Sequence, residues 1–265
     1  MISSRTAIRI ARRNVMRQRR RIASLQLAAT RYRLSLMGQR QRPRARILCY
    51  HSVGTPEWGV NDVAPKRFAR QIELALERGD TFVPASLIAA GEASPRALAI
   101  TFDDGLASIQ NAVPVLNSYG IPFTIFVVSD WAEGKGRWAN RRALNWTQLE
   151  ALTASGATIG SHSVTHANFA RLSPQAAADE LRRSRETIAA HLGAAPVEFA
   201  IPFGRRRDWP ESAGALALEA GYTTVYAQSE DLRPPGTIAR SFVTRWDTDR
   251  LFAAVLDGRF DGWEE

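Results

Sequence analysis

Short apolar runs alternate with helical patterns along the chain from Arg46 onward. Strands that alternate with helices form parallel sheets covered by helices, so the order of elements predicts an α/β fold. With seven or eight such units, a (β/α) barrel is favoured over an open sheet. The predicted strands are 46–51, 80–84, 97–103, 121–128, 157–162, 197–202, 221–227 and 237–243. The predicted helices are 65–78, 105–119, 146–155, 173–192, 210–220 and 248–257.

Two of these helices have recognisable ends in the sequence. Thr147 and Glu150 have the spacing of a capping box for the helix 146–155. Ser173 precedes a proline, as an N-cap does before a first-turn proline, and Gly193 ends the same helix. These signals predict where the helices that surround the sheet begin and end.

Aspartate and histidine side chains directly follow several predicted strands. His51 ends the first strand, Asp103 and Asp104 end the third, and His162 ends the fifth with His166 four residues later. Residues at the carboxyl ends of parallel strands build the active sites of barrels. We therefore expect these side chains to converge on one mouth of the barrel.

The residue types at these strand ends are suited to metal-assisted hydrolysis. One aspartate and two histidines can bind zinc or a similar divalent ion and leave a coordination position open for water. A second aspartate is then free to act as a base on that water. An Asp-Asp-Gly triplet alone is often only a solvated turn, and a His-x-x-x-His pair alone is a weak signal. Both motifs together, in a chain with four histidines, predict a metal-dependent hydrolase.

The formal net charge of +9 is unevenly distributed along the chain. Residues 1–46 contain fourteen arginines and no acidic residue, whereas the remainder carries a net charge of −5. The domain itself therefore lacks the charge typical of nucleic-acid binding, and no nucleic acid is expected as its partner. The single cysteine, Cys49, excludes an internal disulfide and a thiolate zinc site, and its apolar surroundings predict a small buried side chain.

The sequence divides into an Arg-rich arm, 1–45, and a catalytic domain, 46–265. An apolar residue recurs every seven positions in the arm, which on a helix forms one apolar stripe surrounded by arginines. The stripe comprises Ile8, Val15, Ile22, Ala29 and Leu36, with Ala11, Leu25 and Tyr32 between them. Three interpretations of the arm remain open: it contacts an anionic membrane peripherally, it binds nucleic acid or an acidic partner, or it is a poorly ordered extension.

The first 46 residues lack the apolar core of a signal peptide. Arginines interrupt every run that could form the apolar core of a signal peptide, although a transit peptide shares the composition of the arm. No segment approaches the ~18 apolar residues that a membrane-spanning helix needs. We expect a cytoplasmic protein, or one that is peripheral on the cytoplasmic face of a membrane.

Three ordered motifs, Thr101–Gly105, His162–His166 and Phe199–Gly204, resemble those of the polysaccharide deacetylases, carbohydrate esterase family 4. The resemblance covers roughly residues 46–245. It implies a distorted (β/α)7-type barrel that removes acetyl groups from N-acetylglucosamine units. The resemblance implies that Asp104, His162 and His166 bind a metal ion, usually Zn²⁺. It implies that Asp103 is the catalytic base, and that the backbone N–H of Phe203, which follows Pro202, contacts the oxyanion.

The chain departs from the family pattern at two places in the third motif. Ala200 replaces an arginine that steadies the catalytic aspartate, and Phe203 replaces the usual tyrosine. Arg240 and Arg245, near the last predicted strand, are candidates to supply the missing guanidinium.

A further departure concerns the general acid. Many members carry a late histidine in this role, but no histidine follows His191. The segment 47–52 resembles the opening strand of the permuted poly-N-acetylglucosamine deacetylases of biofilm systems, in which an N-terminal histidine takes that role. This resemblance implies His51 as the general acid.

The sequence therefore predicts a metal-dependent hydrolase that removes N-acetyl groups from N-acetylglucosamine-containing glycans. One alternative keeps the fold and metal but acts on a small cyclic amide or another acylated amine. The other is a non-catalytic glycan-binding protein on a degenerate barrel. The departures at Ala200 and Phe203 favour the last alternative, and the intact Asp-Asp and His-His pairs oppose it.

Overall fold

The computed structural model describes residues 22–36, 44–136, 138 and 142–263 of the chain. Its strands are β1 (Arg46–Tyr50), β2 (Ser52–Val53), β3 (Asp62–Val63), β4 (Thr81–Phe82), β5 (Ala97–Phe102), β6 (Phe123–Val127), β7 (Ala157–Ser161), β8 (Glu198–Ala200), β9 (Thr224–Tyr226) and β10 (Ser241–Phe242). Its helices are α1 (22–36), α2 (Pro65–Glu77), α3 (Ala85–Ala89), α4 (Val113–Ser118), α5 (Ser129–Ala132), α6 (Trp146–Ala154), α7 (Pro174–Leu192), α8 (Glu211–Glu219) and α9 (Asp249–Leu256). Single 3₁₀ segments cover Pro56–Asn61, Ala107–Asn111, Phe169–Arg171 and Arg206–Asp208.

The main sheet is parallel and curled, with its strands in the order β10-β1-β5-β6-β7-β8-β9. A short strand, β4, also pairs with β5. Ile238 forms a parallel bridge to Tyr226 of β9, and four residues later Phe242 of β10 pairs with Cys49 of β1. The segment 238–242 therefore joins the two edges of the sheet, which confirms the predicted distorted (β/α) barrel.

The central strands are buried because both faces of a parallel barrel sheet are covered. All six residues of β5 are buried, as are all five of β1 and all five of β6. This burial explains why these strands are continuous apolar runs in the sequence rather than alternating patterns. Since the strands run parallel, the residues that follow β1, β5, β7 and β8 lie at the same end of the barrel.

The predicted helix 105–119 is wrong as a single element. The structure has a 3₁₀ segment at Ala107–Asn111, and α4 begins only at Val113 with Pro114 in its first turn. Proline lacks an N–H and its ring clashes with the preceding turn, so it is tolerated at the start of a helix but not in its interior. Pro114 therefore separates the two segments.

The capping box predicted from Thr147 and Glu150 is also wrong. The N-cap of α6 is Asn145, whose side chain accepts a hydrogen bond from the backbone N–H of Gln148, and the side chain of Gln148 accepts one from the N–H of Asn145. The box lies two residues earlier than predicted, because asparagine is as good an N-cap as threonine. The cap predicted for α7 is present, since Ser173 accepts from the N–H of Ala176 and Gly193 adopts a left-handed conformation.

Part of the Arg-rich arm packs on the barrel as α1, whereas 1–21 and 37–43 lie outside the described residues. Leu27, Arg31 and Ser35, each four residues apart, are buried against the domain. Arg31 donates two hydrogen bonds to the buried carboxylate of Asp247, at 2.8 and 2.7 Å. Within the described ranges, no helix combines the length and the apolarity needed to cross a membrane.

Candidate active site

One polar cavity of about 280 Å³ opens at the carboxyl end of the barrel strands. Its lining includes most of the residues that the motifs predict: His51, Asp103, Asp104, His166 and Phe203. His162 lies beneath this cavity, 1% exposed. The structure therefore brings together residues that follow β1, β5, β7 and β8.

Asp104, His162 and His166 form a compact group of potential metal ligands. Oδ1 of Asp104 lies 3.6 Å from Nε2 of His162 and 3.4 Å from Nε2 of His166. Ligand bonds of 2.0–2.1 Å in a tetrahedral zinc site place ligand atoms about 3.3 Å apart, so these separations fit such a site. Oδ1 of Asp104 is also buried without a hydrogen-bond partner, which is costly unless a cation satisfies it. The three side chains therefore fit a divalent ion.

His162 is already oriented as a metal ligand. Its Nδ1–H donates to the carbonyl oxygen of Ala200 at 2.8 Å, which leaves Nε2 with its lone pair toward Asp104. Burial lowers the pKa of His162 to about 4, so the imidazole is neutral near pH 7. A hydrogen bond from the second ring nitrogen is the usual way in which a protein fixes a histidine ligand.

Backbone strain is concentrated at this site. Asp104, Ser163, His166 and Phe203 adopt positive φ angles between 61° and 71°, a region that side-chain-bearing residues rarely occupy. The fifth non-glycine residue of this kind among the described residues, Ser229, follows Gln228 in the cavity wall. Such strain persists only where the surroundings over-determine it, and it is typical of functional sites.

The loop that carries the two histidines is held by Glu180 of α7. The Glu180 carboxylate accepts hydrogen bonds from the backbone N–H groups of Val164 and Thr165 at 2.9 and 3.0 Å and from the Thr165 hydroxyl. Ser163 Oγ accepts a further bond from the N–H of His166. These bonds fix the backbone conformation that directs His166 toward Asp104.

Asp103 is paired with Arg240 inside the barrel. Nη1 and Nη2 of Arg240 donate to Oδ1 and Oδ2 of Asp103 at 2.5 and 2.8 Å, and both side chains are buried. Burial alone would raise the pKa of Asp103, but the charge and hydrogen bonds of Arg240 outweigh burial and hold this pKa well below its ordinary value. Asp103 is therefore an ionised carboxylate next to the potential metal ligands, with Oδ2 4.0 Å from Nε2 of His162.

The structure distinguishes between the two arginines that the sequence offered as partners of Asp103. Arg240 precedes β10 and points into the barrel, whereas Arg245 contacts the carbonyl of Gly59 at 3.4 Å and lies over the Trp246 ring. Ala200, where the family carries arginine, is fully buried and accepts the hydrogen bond from His162 through its carbonyl. The guanidinium thus comes from the segment that leads into β10.

His51, Cys49 and Asp103 form a second cluster in which potential ligand atoms lie within 4.8 Å of one another. Cys49 Sγ donates to Oδ2 of Asp103 at 3.4 Å, and burial raises the pKa of the thiol well above its usual value. Because Arg240 holds both Asp103 oxygens and the thiol stays protonated, this cluster is a poor cation site. The imidazole of His51 packs edge-on against Phe242, with ring centroids 5.5 Å apart.

The turn after β8 places Phe203 at the mouth of the cavity. Phe203 is 43% exposed and its ring centroid lies 4.7 Å from that of His166, while Pro202 before it is buried. Gly204 follows with a φ of 72°, and a Cβ there would lie 2.6 Å from the side chain of Gln228. Only glycine therefore allows this turn to approach the opposite wall.

Several residues of the site carry no motif in the sequence. Asn61, Gln228 and Phe242 line the cavity, and Glu180 supports the histidine loop. Asn61 ends a 3₁₀ segment and Gln228 follows β9 by two residues. Neither stands in a motif, and the only signals in the sequence are the position of Gln228 directly after one predicted strand and that of Phe242 near the end of another.

The chain is similar in sequence to polysaccharide deacetylases. The sequence profile described as polysaccharide deacetylase matches residues 90–225, just over half of the chain. The matched range contains Asp103, Asp104, His162, His166 and Phe203 but neither His51 nor Arg240. The putative polysaccharide deacetylase YxkH of Bacillus subtilis is 28% identical over 186 residues, which are 67% of this chain and 63% of that relative. The chain thus spans less than two thirds of the relative's length.

Solved structures of deacetylases share the fold. The Streptococcus pyogenes deacetylase PplD, in complex with acetate, superposes with a TM-score of 0.69 at 18% identity over 80% of this chain and 98% of that one. IcaB from Ammonifex degensii gives a TM-score of 0.66 at 24% identity over 82% of this chain and 98% of its own. At these identities the likeness concerns the fold alone.

Proposed function

The chain belongs to the polysaccharide deacetylase family, and from this we propose that it is a metal-dependent hydrolase that removes N-acetyl groups from N-acetylglucosamine-containing glycans. One observation supports the proposal above all. The ionised carboxylate of Asp103 lies beside the group Asp104, His162 and His166 on a single cavity. A base adjacent to potential metal ligands is an arrangement suited to metal-assisted hydrolysis of an unactivated amide.

Asp104, His162 and His166 would hold the metal ion, for which we propose Zn²⁺. Two imidazoles and one carboxylate suit zinc and leave a position open, as in catalytic sites. When bound, the ion would polarise the acetyl carbonyl and lower the pKa of a coordinated water toward ~7. The hydrogen bond from His162 to Ala200 and the bonds of Glu180 to the histidine loop keep the ligands in place without the ion.

Asp103 is proposed as the general base. Its carboxylate takes a proton from the attacking water, and Arg240 keeps it ionised and fixes its plane. A carboxylate has more acceptor sites than the two that Arg240 occupies, so it retains capacity for the water proton. General-base assistance of this kind contributes about 10²–10⁴-fold to the rate.

His51 is proposed as the general acid and Phe203 as the oxyanion contact. A ring nitrogen of His51 lies within 4.8 Å of a carboxylate oxygen of Asp103, and Nδ1 of His51 is buried without a hydrogen-bond partner. An amine that leaves unprotonated is a poor leaving group, so a proton from this imidazole would assist its departure. The Phe203 N–H would donate to the oxyanion that forms from the acetyl carbonyl oxygen, a contact worth about 3 kcal/mol in comparable sites.

Acetate release from N-acetylglucosamine oligomers of graded length tests this function. The zinc-loaded protein is assayed in parallel with a simple N-acetylated alkylamine. Release from the oligomers but not from the alkylamine supports a glycan deacetylase and reveals the preferred length. Release from the alkylamine alone would contradict the glycan substrate, and no release from a protein with bound zinc would favour a binding role.

A further inference from the structure

Helix α1 presents two different faces, only one of which packs on the barrel. Its inner face carries Leu27, Arg31 and Ser35, all buried. The Arg31 guanidinium pairs with Asp247 and lies 4.4 Å from the centre of the Phe260 ring. A buried bidentate pair and a ring contact allow little rotation of the helix about its axis, so the direction of the outer face is determined.

The outer face is an apolar stripe, which consists of Ile22, Leu25, Ala29, Tyr32 and Leu36. These positions are three or four residues apart, so they form one line along the helix. All five are exposed, and the four large side chains among them are 49–61% exposed. The described residues expose eleven large apolar side chains, and the other seven are scattered over separate elements and loops. An aligned set of this kind marks an interaction surface.

Positive charge accompanies the stripe. Arg33 is exposed on α1, and the exposed Arg250 of α9 lies with its guanidinium 5.5 Å from the centre of the Tyr32 ring. The sequence upstream continues the apolar spacing with Ile8 and Val15 and adds eight arginines within residues 1–21. No acidic residue occurs before Glu57. A partner that complements this segment therefore has a negatively charged surface with an apolar layer below it.

We propose that the stripe of α1 and its arginines bind the surface of an anionic lipid bilayer. An amphipathic helix with a basic border lies in the interfacial plane, where its apolar side chains enter the acyl boundary and its arginines meet anionic headgroups. A second copy of the chain fits poorly, because two arginine-rich, acid-free segments repel each other. Nucleic acid offers phosphates but no apolar layer to bury Leu25 and Leu36.

The binding face is fixed relative to the catalytic cavity. Arg31 donates to the carbonyl of Phe242 at 3.3 Å, and the Phe242 side chain lines the cavity and contacts His51. A bilayer bound to α1 would therefore hold the mouth of the barrel in one orientation to the membrane. Such an arrangement suits a polymer or precursor that is presented at the same surface.

Co-sedimentation of the full chain with vesicles tests the proposal. Phosphatidylglycerol–phosphatidylcholine vesicles are compared with pure phosphatidylcholine at low and high salt. A variant with Leu25→Glu and Tyr32→Glu disrupts the stripe. The matched control carries Leu218→Glu and Tyr119→Glu, a leucine and a tyrosine of similar exposure, 67% and 49%, located elsewhere on the domain. Circular dichroism verifies that both variants fold.

We expect the wild type to bind the anionic vesicles, less so at high salt, and to bind the neutral vesicles weakly. The stripe variant should bind the anionic vesicles at least about tenfold more weakly than the wild type, and the control should bind them as the wild type does. Equal binding to both vesicle types, or by both variants, would overturn the proposal. So would a dimer that only the stripe variant dissociates, or binding to a DNA duplex in place of vesicles.

Discussion

Arg240 holds both oxygens of the Asp103 carboxylate, although the two residues lie 137 positions apart in the chain. Both side chains are almost completely shielded from solvent, at 0% and 3% exposure. A buried carboxylate without this partner would favour its protonated form, which cannot act as a base. Arg240 therefore keeps the proposed base ionised, although Ala200 stands at the position where the family carries an arginine.

Substitution of Arg240 should impair turnover without loss of metal. Arg240→Lys retains the charge but not the two-pronged geometry, so Asp103 is less well placed and less well stabilised as an anion. We expect kcat/KM to fall about 10²-fold. The acid limb of the pH–rate profile should move to higher pH, because the pKa of Asp103 rises and the base works only when ionised. Arg245→Lys, which changes an arginine with no contact to Asp103, should leave both unchanged.

Metal content should be one equivalent of zinc per chain. The side chains of Asp104, His162 and His166 fit one ion. In the second cluster, which comprises Cys49, His51 and Asp103, the bond from Arg240 to Asp103 should exclude another ion. Elemental analysis after dialysis should show that His162→Ala loses the zinc and that Cys49→Ser retains it. Two equivalents in the wild type, one of them lost in Cys49→Ser, would show that the second cluster binds metal.

Glu180 should affect metal affinity although it lies outside the ligand set. Its carboxylate holds the loop between the two histidines, so Glu180→Gln should weaken zinc binding about 10–100-fold, as is typical when support for ligands is lost. Competition with a chromophoric chelator measures the effect. Glu186→Gln, on the exposed side of the same helix, is the control. If both variants bind zinc equally well, the loop does not depend on Glu180.

The loss of rate on replacing His51 should be larger for a leaving group that must be protonated than for one that leaves as an anion. His51→Ala should slow acetate release from an N-acetylglucosamine oligomer about 10²–10⁴-fold, because the amine must be protonated as it leaves. Hydrolysis of an aryl acetate, whose phenolate leaves without a proton, should stay close to the wild-type rate. A similar loss on both substrates would assign His51 to another role.

Much of the barrel is predictable from the sequence because its strands are buried on both faces. β1, β5 and β6, which are buried throughout, fall inside predicted strands, since continuous apolar runs such as Ala97–Phe102 are typical of strands covered on both faces. The helices α2, α6, α7, α8 and α9 agree with the predictions to within about two residues. The elements β2, β3, α3 and α5, of two to five residues, were not predicted, because so few residues produce no periodic signal of their own; the short strands β4, β8, β9 and β10 lie within longer predicted strands.

The motif residues were predictable as a group, whereas their support was not. Asp103, Asp104, His162 and His166 stand in short local patterns at strand ends. Arg240 and Arg245 were equal candidates in the sequence, and only the closure of the barrel brings Arg240 against Asp103. Glu180 lies in the middle of α7 among other charged residues, and nothing in its local sequence distinguishes it from Glu186.

The most direct test of the central claim compares the wild type with Asp103→Asn at equal, measured zinc content. The rate of acetate release from an N-acetylglucosamine oligomer is the readout. Asparagine keeps the shape of the side chain but cannot accept the water proton, so we predict a rate at least about 10²-fold lower with zinc fully retained. An Asp103→Asn enzyme that matches the wild-type rate would contradict the assignment of the base and the mechanism built on it.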